Sequence, residues 1–500
     1  MNSDLVFLPA SQLAQAIRER QVSAEESVQA YLAQITRHNP AINAIATLDE
    51  MGALQRAREA DRTLAAGETW GPLHGVPITL KDNFETQGLR STAGDPSFSK
   101  NIPGQDAVVA SRLRQAGAII LGKTNVSPQD RSQQTSNYLF GRTANPWKSD
   151  LTAGGSGGAA AVAAGFTALD IGSDLAGSLR IPAHFCGVFA LKTTAGRVPS
   201  QGYLTRRDPA HWLAGWQALG ELRSIGPTAR SIAGLRLALM AIADRDKPGL
   251  QTSPQRMLHQ RRIAWSDTWG DFPINAEVSQ AVRSFAAQLA DQGAQVQYQA
   301  APGINLEQAW ELSAQLMSSL DFVEANFFTR TSQLAFSWAP APRRPVRPIL
   351  SGWIGGAAAA CLRPGIARLM ELRTEMTNQI EQFLQEWDAW LAPVFPRPAF
   401  PQDLKASPHQ LSDPLRLQTD IDGTQVGQVA AGIACAGIFN LTGHPVVTIP
   451  IQITRAGLPI GVQVLGRRWD EMNLLAVAGQ IAEVAGGFHP PPRLISENAV

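Results

Sequence analysis

Apolar positions near the start of the chain follow a helical period. From Ala10 to Arg37, the residues Leu13, Ile17, Val22, Val28, Leu32 and Ile35 recur at that spacing, with Ser23 interrupting as an N-cap. Two helices are therefore predicted, the second ended by Pro40, followed by a short strand over 46–49 and a third helix over 51–66. The run Leu73-His-Gly-Val-Pro-Ile-Thr-Leu-Lys-Asp-Asn83 then reads as an apolar strand closing on Lys81. Helical patterning returns over 106–116, 232–243, 276–292, 370–387, 430–440 and 472–485. Strand-like runs fall at 118–122, 262–266, 294–298, 389–393, 446–453 and 460–465, while 400–427 reads as a loop-like insertion. Such alternation predicts an α/β architecture, a sheet covered by helices.

The stretch 151–200 departs from simple patterning and holds two serines in chemically suggestive settings. Ser156 stands between two glycine pairs, directly before the helix-forming alanine run 159–164, which places it in a tight turn at a helix N-terminus. Unpaired N–H groups there favour negative charge. Ser178 closes Asp174-Leu-Ala-Gly-Ser, where small side chains allow the N–H groups of Leu175, Ala176, Gly177 and Ser178 to converge on one point as an oxyanion hole would. A Gly-Gly-Ser-Gly-Gly run alone is more often a flexible turn or a loop over phosphate than a catalytic element. No Gly-Lys-Ser/Thr follows it, which argues against a nucleotide-binding loop.

Taken together, GVPITLKDN around Lys81, GGSGGAAAVAAG around Ser156 and GSDLAGSLRIPAHFCGVFALK around Ser178 resemble the three motifs of the amidase signature family. Similarity continues at Ser23-Ala-Glu-Glu, Ser224-Ile-Gly-Pro-Thr-Ala-Arg230, Asn440-Leu-Thr-Gly-His-Pro445 and Gly457-Leu-Pro-Ile-Gly-Val-Gln463, and fades from about 250 to 380. The resemblance implies one domain over 1–500, built on a single mixed sheet of about eleven strands with helices on both sides. It also implies amide hydrolysis, with Lys81 as base, Ser156 as proton relay and Ser178 as nucleophile. A lysine accepts a proton only when neutral, a state that burial favours. The family usually carries two adjacent serines between its glycine pairs, whereas here Ser156 stands alone, 75 residues after Lys81 and 22 before Ser178. Three alternatives follow: a glutaminase component of an amidotransferase working with partner subunits, a family member without catalysis kept for binding, and an esterase.

Over 306–353, where the likeness fades, large apolar residues gather, and loops added to a scaffold commonly set specificity. Two segments, 201–222 and 300–350, are candidates for a substrate pocket, with Tyr203, Trp216, Trp310 and Phe327 as lining residues. Core packing is the competing reading of the same aromatics.

Charge narrows the partners. Lys and Arg total 43 against 42 Asp and Glu, and they are scattered, so neither nucleic acid nor another polyanion is implied. A small-molecule amide is the expected partner, with neither metal nor organic cofactor. Monomer and homodimer both stay open. Three widely spaced cysteines, Cys186, Cys361 and Cys435, give no disulfide framework and suit a reducing compartment. No basic leader with an apolar stretch and no long apolar span is present, which makes a cytoplasmic protein without a membrane anchor the expectation.

Overall fold

The computed structural model describes residues 5–128, 132–204, 222–251, 256–324, 349, 363–411 and 417–496. Its strands are β1 (Ile45–Leu48), β2 (Pro77–Lys81), β3 (Ile119–Thr124), β4 (Ser136–Asn137), β5 (Gly141–Arg142), β6 (Leu169–Asp174), β7 (Phe189–Lys192) and β8 (Ser224–Ala229). They continue as β9 (Arg262–Trp265), β10 (Gln295–Tyr298), β11 (Ala389–Pro393), β12 (Gln418–Ile421), β13 (Thr424–Gly427), β14 (Val446–Ile453) and β15 (Pro459–Leu465). Eleven of them form one sheet in the order β1-β3-β2-β6-β8-β7-β14-β15-β11-β9-β10. It is mixed: β3, β2 and β6 run parallel, β8 turns antiparallel to β6, and β11 returns to a parallel pairing with β9. Every residue of β2, β3, β6, β7, β8, β11 and β15 is buried, which requires helices over both faces.

Local chemistry accounts for the element boundaries. Ser23 caps the helix Ala24–Ile42: its hydroxyl accepts from the Glu26 N–H at 3.0 Å, and the Glu26 carboxylate accepts from the Ser23 N–H at 2.8 Å. Pro40 does not end that helix. It removes one hydrogen bond inside the last turn, and the turn still closes at left-handed Asn43, whose N–H bonds to the Asn39 carbonyl. The Asn39 side chain accepts from the N–H groups of Ala44 and Ile45, at 2.9 Å each, and fixes the exit toward β1.

Two other expectations change. The stretch 400–427 is not all loop, because β12 and β13 pair there as an antiparallel hairpin. The helix expected over 430–440 is interrupted by a π turn, Ile433–Gly437, between Gln428–Gly432 and Ile438–Leu441. Trp310 underlies this turn. It is 2% exposed, donates its indole N–H to the Ala434 carbonyl at 3.0 Å and meets the Phe272 ring edge-on, so core packing describes it.

Candidate active site

β2 and β6 are parallel neighbours, with Leu80 opposite Ile171, so their C-terminal ends present Lys81 and Ser173 to one another. Ligands in α/β sheets gather at such carboxyl ends. Lys81 has no exposed surface, and its Nζ donates to the Ser173 hydroxyl at 3.0 Å and the Ser173 carbonyl at 3.4 Å. The Ser173 Oγ is 2.8 Å from the Tyr203 hydroxyl. Sequence reasoning passes over Ser173; a polar side chain closing the buried strand Leu169–Asp174 is the one signal that could have found it.

The Ser156 turn is stitched in place through its neighbours. Gly154 O accepts from both the N–H and the hydroxyl of Thr135 at 2.8 Å, Gly157 N–H donates to Asn125 O at 2.8 Å, and Ser156 itself bridges Val126. Ser156 and Ser178 are 3% and 8% exposed, so the turn opens only slightly to solvent. A Cβ built on Gly155 would lie 3.7 Å from Ser178 Oγ, which places the Ser178 hydroxyl over the turn that carries Ser156. The same Cβ would come within 2.3 Å of the Ser132 carbonyl oxygen, a backbone atom that cannot swing aside. Gly155→Ala is therefore expected to displace the turn and lower kcat about 100-fold, a loss typical of roughly 1 Å misplacement. Steady-state kinetics at unchanged secondary structure would check this, and a variant with parental kcat would show that the turn's position does not matter.

The Ser178 loop hangs on a buried carboxylate. Asp174 Oδ1 accepts from the Gly177 N–H and from Arg180 Nη2, both at 2.9 Å, and Oδ2 accepts from Arg180 Nε at 3.0 Å and the Leu179 N–H at 3.2 Å. Gly177 has a φ of +104°, and a Cβ there would meet Ile181 Cδ1 at 2.5 Å and the Cβ of Ala436 in the π turn at 2.9 Å. Because the Gly177 N–H is committed to Asp174, it drops out of the four expected to face an oxyanion. Among the described residues, none accepts from the N–H groups of Leu175, Ala176 or Ser178. Burial opposes ionisation of Asp174, yet the Arg180 guanidinium, with Lys192 and the Gly177 N–H, holds its carboxyl well below the usual carboxylate range.

Remote stretches complete the frame. Arg180 also donates to Asn440 Oδ1 at 2.7 Å and Gln463 Oε1 at 3.1 Å, while Asn440 Nδ2 donates to the Asp174 carbonyl at 2.8 Å. These contacts give physical content to the 440–445 and 457–463 stretches. His184 Nδ1 accepts from the Gly461 N–H at 2.9 Å, leaving the other ring nitrogen to donate to the Arg397 carbonyl at 3.1 Å. Burial pushes its imidazole down to about 4, so it is a neutral brace at ordinary pH.

Beneath the Ser156 turn, Asp170 accepts from the Thr79 and Thr124 hydroxyls at 2.8 and 3.1 Å, and its Oδ2 approaches Gly158 closely enough to exclude any side chain there. Burial raises its carboxyl to about 6 against the pull of those hydroxyls and of Lys81 and Lys123. A carboxyl raised on folding binds its proton more tightly in the native state. Its stabilisation is therefore complete below the unfolded value near 4 and is lost as pH rises to about 6, on the order of 3 kcal/mol in all. Asp170→Asn is expected to remove that decline. Urea unfolding of both proteins at pH 4.5 and 7.5 would show it, and equal pH dependence would refute it.

The remaining candidates separate. Tyr203 joins Ser173, Trp310 lies in the core, and Trp216 and Phe327 fall outside the described residues. Among the described residues, no group of three or more His, Cys, Asp and Glu side chains could hold a metal ion, and no helix is long and apolar enough to cross a membrane.

A sequence profile of the Amidase family matches residues 26–475. An indoleacetamide hydrolase of Bradyrhizobium diazoefficiens is 32% identical over 95% of this chain and 86% of its own. A glutamyl-tRNA(Gln) amidotransferase component from a Synechococcus strain is 31% identical over 96% of each chain. Among solved structures, a substrate complex of 6-aminohexanoate cyclic dimer hydrolase superposes with a TM-score of 0.76, at 25% identity over 98% of this chain and 99% of that one. A match of this extent, on an eleven-stranded sheet with Lys81 at the end of one central strand, establishes that the chain belongs to the amidase signature family of amide hydrolases.

Proposed function

We propose that the chain is a free-standing amidase in which Ser178 attacks the amide carbonyl, Ser156 relays the proton and Lys81 receives it. The observation that carries this reading is the fully buried Lys81 amine at the end of β2, together with a Ser178 hydroxyl that sits over the Ser156 turn on the loop following the neighbouring strand β6. Full burial keeps bulk water from competing for the proton that a base at this position would receive. As the carbonyl oxygen gains charge, the N–H groups of Leu175, Ala176 and Ser178 receive it without reorganisation. The proton then passes from Lys81 through Ser156 to the leaving amine, and water releases the acyl group by the same relay.

Likeness to an indoleacetamide hydrolase favours a small primary amide on an aromatic acid as the first substrate to try. The amidotransferase likeness supports a second reading, a glutaminase that needs partner subunits. Graded amides varying in acyl and amine size, indoleacetamide and glutamine included, separate the two. Turnover of simple amides by the isolated chain is expected. Activity confined to glutamine in the presence of amidotransferase partner subunits would overturn the first reading, and faster cleavage of matched esters than amides would favour an esterase.

A further inference from the structure

Tyr203 occupies an unusual place for a loop aromatic. Its backbone bridges Phe84, three residues beyond Lys81, and its loop is tied to the same stretch by the Glu85 N–H to Gly202 carbonyl bond at 2.9 Å and the Leu204 N–H to Asn83 carbonyl bond at 2.7 Å. Its ring meets Phe84 edge-on with centroids 5.3 Å apart, and the Arg223 guanidinium lies 4.7 Å from its centre. Backbone, ring and cation contacts thus hold the phenol rigidly relative to β2. The hydroxyl so fixed stands 2.8 Å from Ser173 Oγ, which in turn stands 3.0 Å from Lys81 Nζ.

We infer that Tyr203 is a positioning residue for Lys81, acting through Ser173; the inference rests on Lys81 being the base. Ser173 carries one proton and two acceptor sites, and a neutral lysine carries one lone pair. If the Ser173 proton turned toward the amine, it would occupy the lone pair needed to receive the Ser156 proton. With that proton directed at the Tyr203 oxygen, Ser173 only accepts from Lys81. One amine N–H is then anchored on Ser173 and the lone pair is kept for the relay. The chain Lys81 to Ser173 to Tyr203 is a second arm of the base, separate from the arm toward Ser156 and Ser178.

Tyr203→Phe keeps the ring contacts and removes only the oxygen. It is expected to lower kcat about tenfold, the scale of one net hydrogen bond, with KM and Tm unchanged. The rate of Ser178 labelling by a fluorophosphonate, which reads nucleophile activation without turnover, should fall by the same factor. In a Ser173→Ala background, Tyr203→Phe should have no further effect on labelling, since the proton it restrains is gone. Three results would overturn the proposal: parental kcat in Tyr203→Phe, a raised KM at unchanged kcat, which marks a substrate contact instead, or an equal loss in both Ser173 backgrounds. Failure of the underlying reading looks different, since Lys81→Met would then leave labelling at the parental rate whatever stands at 203.

Discussion

Ser178→Ala is expected to melt at the parental temperature while hydrolysing amides about 10⁴- to 10⁶-fold more slowly. The side chain is 8% exposed and lies over a turn held by backbone bonds, so removing one oxygen leaves no large cavity and breaks no scaffold contact. What disappears is the atom that forms the acyl bond, leaving only substrate binding and the oxyanion-facing N–H groups to favour the reaction. Lys81→Met should cost a comparable factor, because a hydroxyl without a base is a weak nucleophile. Side chains that act as one unit are not additive, so the double variant should be no slower than the slower single. Amide release measured for the three variants and the parent decides the matter. Losses that multiply would mean that Lys81 and Ser178 act independently, and turnover surviving in Ser178→Ala would remove it as nucleophile.

Lys81 and Ser178 were singled out by their likeness to the family's motifs, because an apolar strand ending in lysine is by itself most often a solvated strand end, and small residues before a serine only allow N–H groups to converge. The sheet was legible too: β3, β14 and β15 lie within one or two residues of their apolar runs, and β2 closes on Lys81 as its run does, though it starts four residues later. Hidden features are those decided by distant partners. Ser173 meets Lys81 across 92 residues, and Asn440 meets Arg180 across 260. Pro40 carried a local rule that was overridden by the anchoring of the Asn43 side chain on the distant Phe140 and Arg142 carbonyls, at 2.6 and 2.9 Å. In the hairpin β12–β13 only β12 alternates exposed and buried positions, over just four residues, and β13 does not, so no strand period stands out in polar surroundings. Trp310 illustrates an ambiguity of residue type, since a large aromatic serves a pocket or a core equally well until its neighbours are known.

Asp174→Ala should be the most damaging single change to the framework, destabilising the fold by about 3–5 kcal/mol. Arg180 has no exposed surface, and without the carboxylate its charge is left buried on two neutral amide oxygens, those of Asn440 and Gln463. The N–H groups of Gly177 and Leu179 lose their acceptor at the same time, so the loop that presents Ser178 loosens and activity falls with stability. Acid titration offers a sharper test. Because the folded carboxyl is held below its unfolded value near 4, its stabilisation is fully present above that pH and is lost as pH falls through the lower folded value. Asp174→Asn keeps an oxygen for Arg180 but removes the titration. The parent should thus lose stability more steeply than Asp174→Asn as the medium is taken below pH of about 4. Chemical unfolding of both proteins from pH of about 5 down to pH of about 2 would reveal the difference in slope, and parallel curves across that range would mean that the Asp174 charge is not what secures the loop.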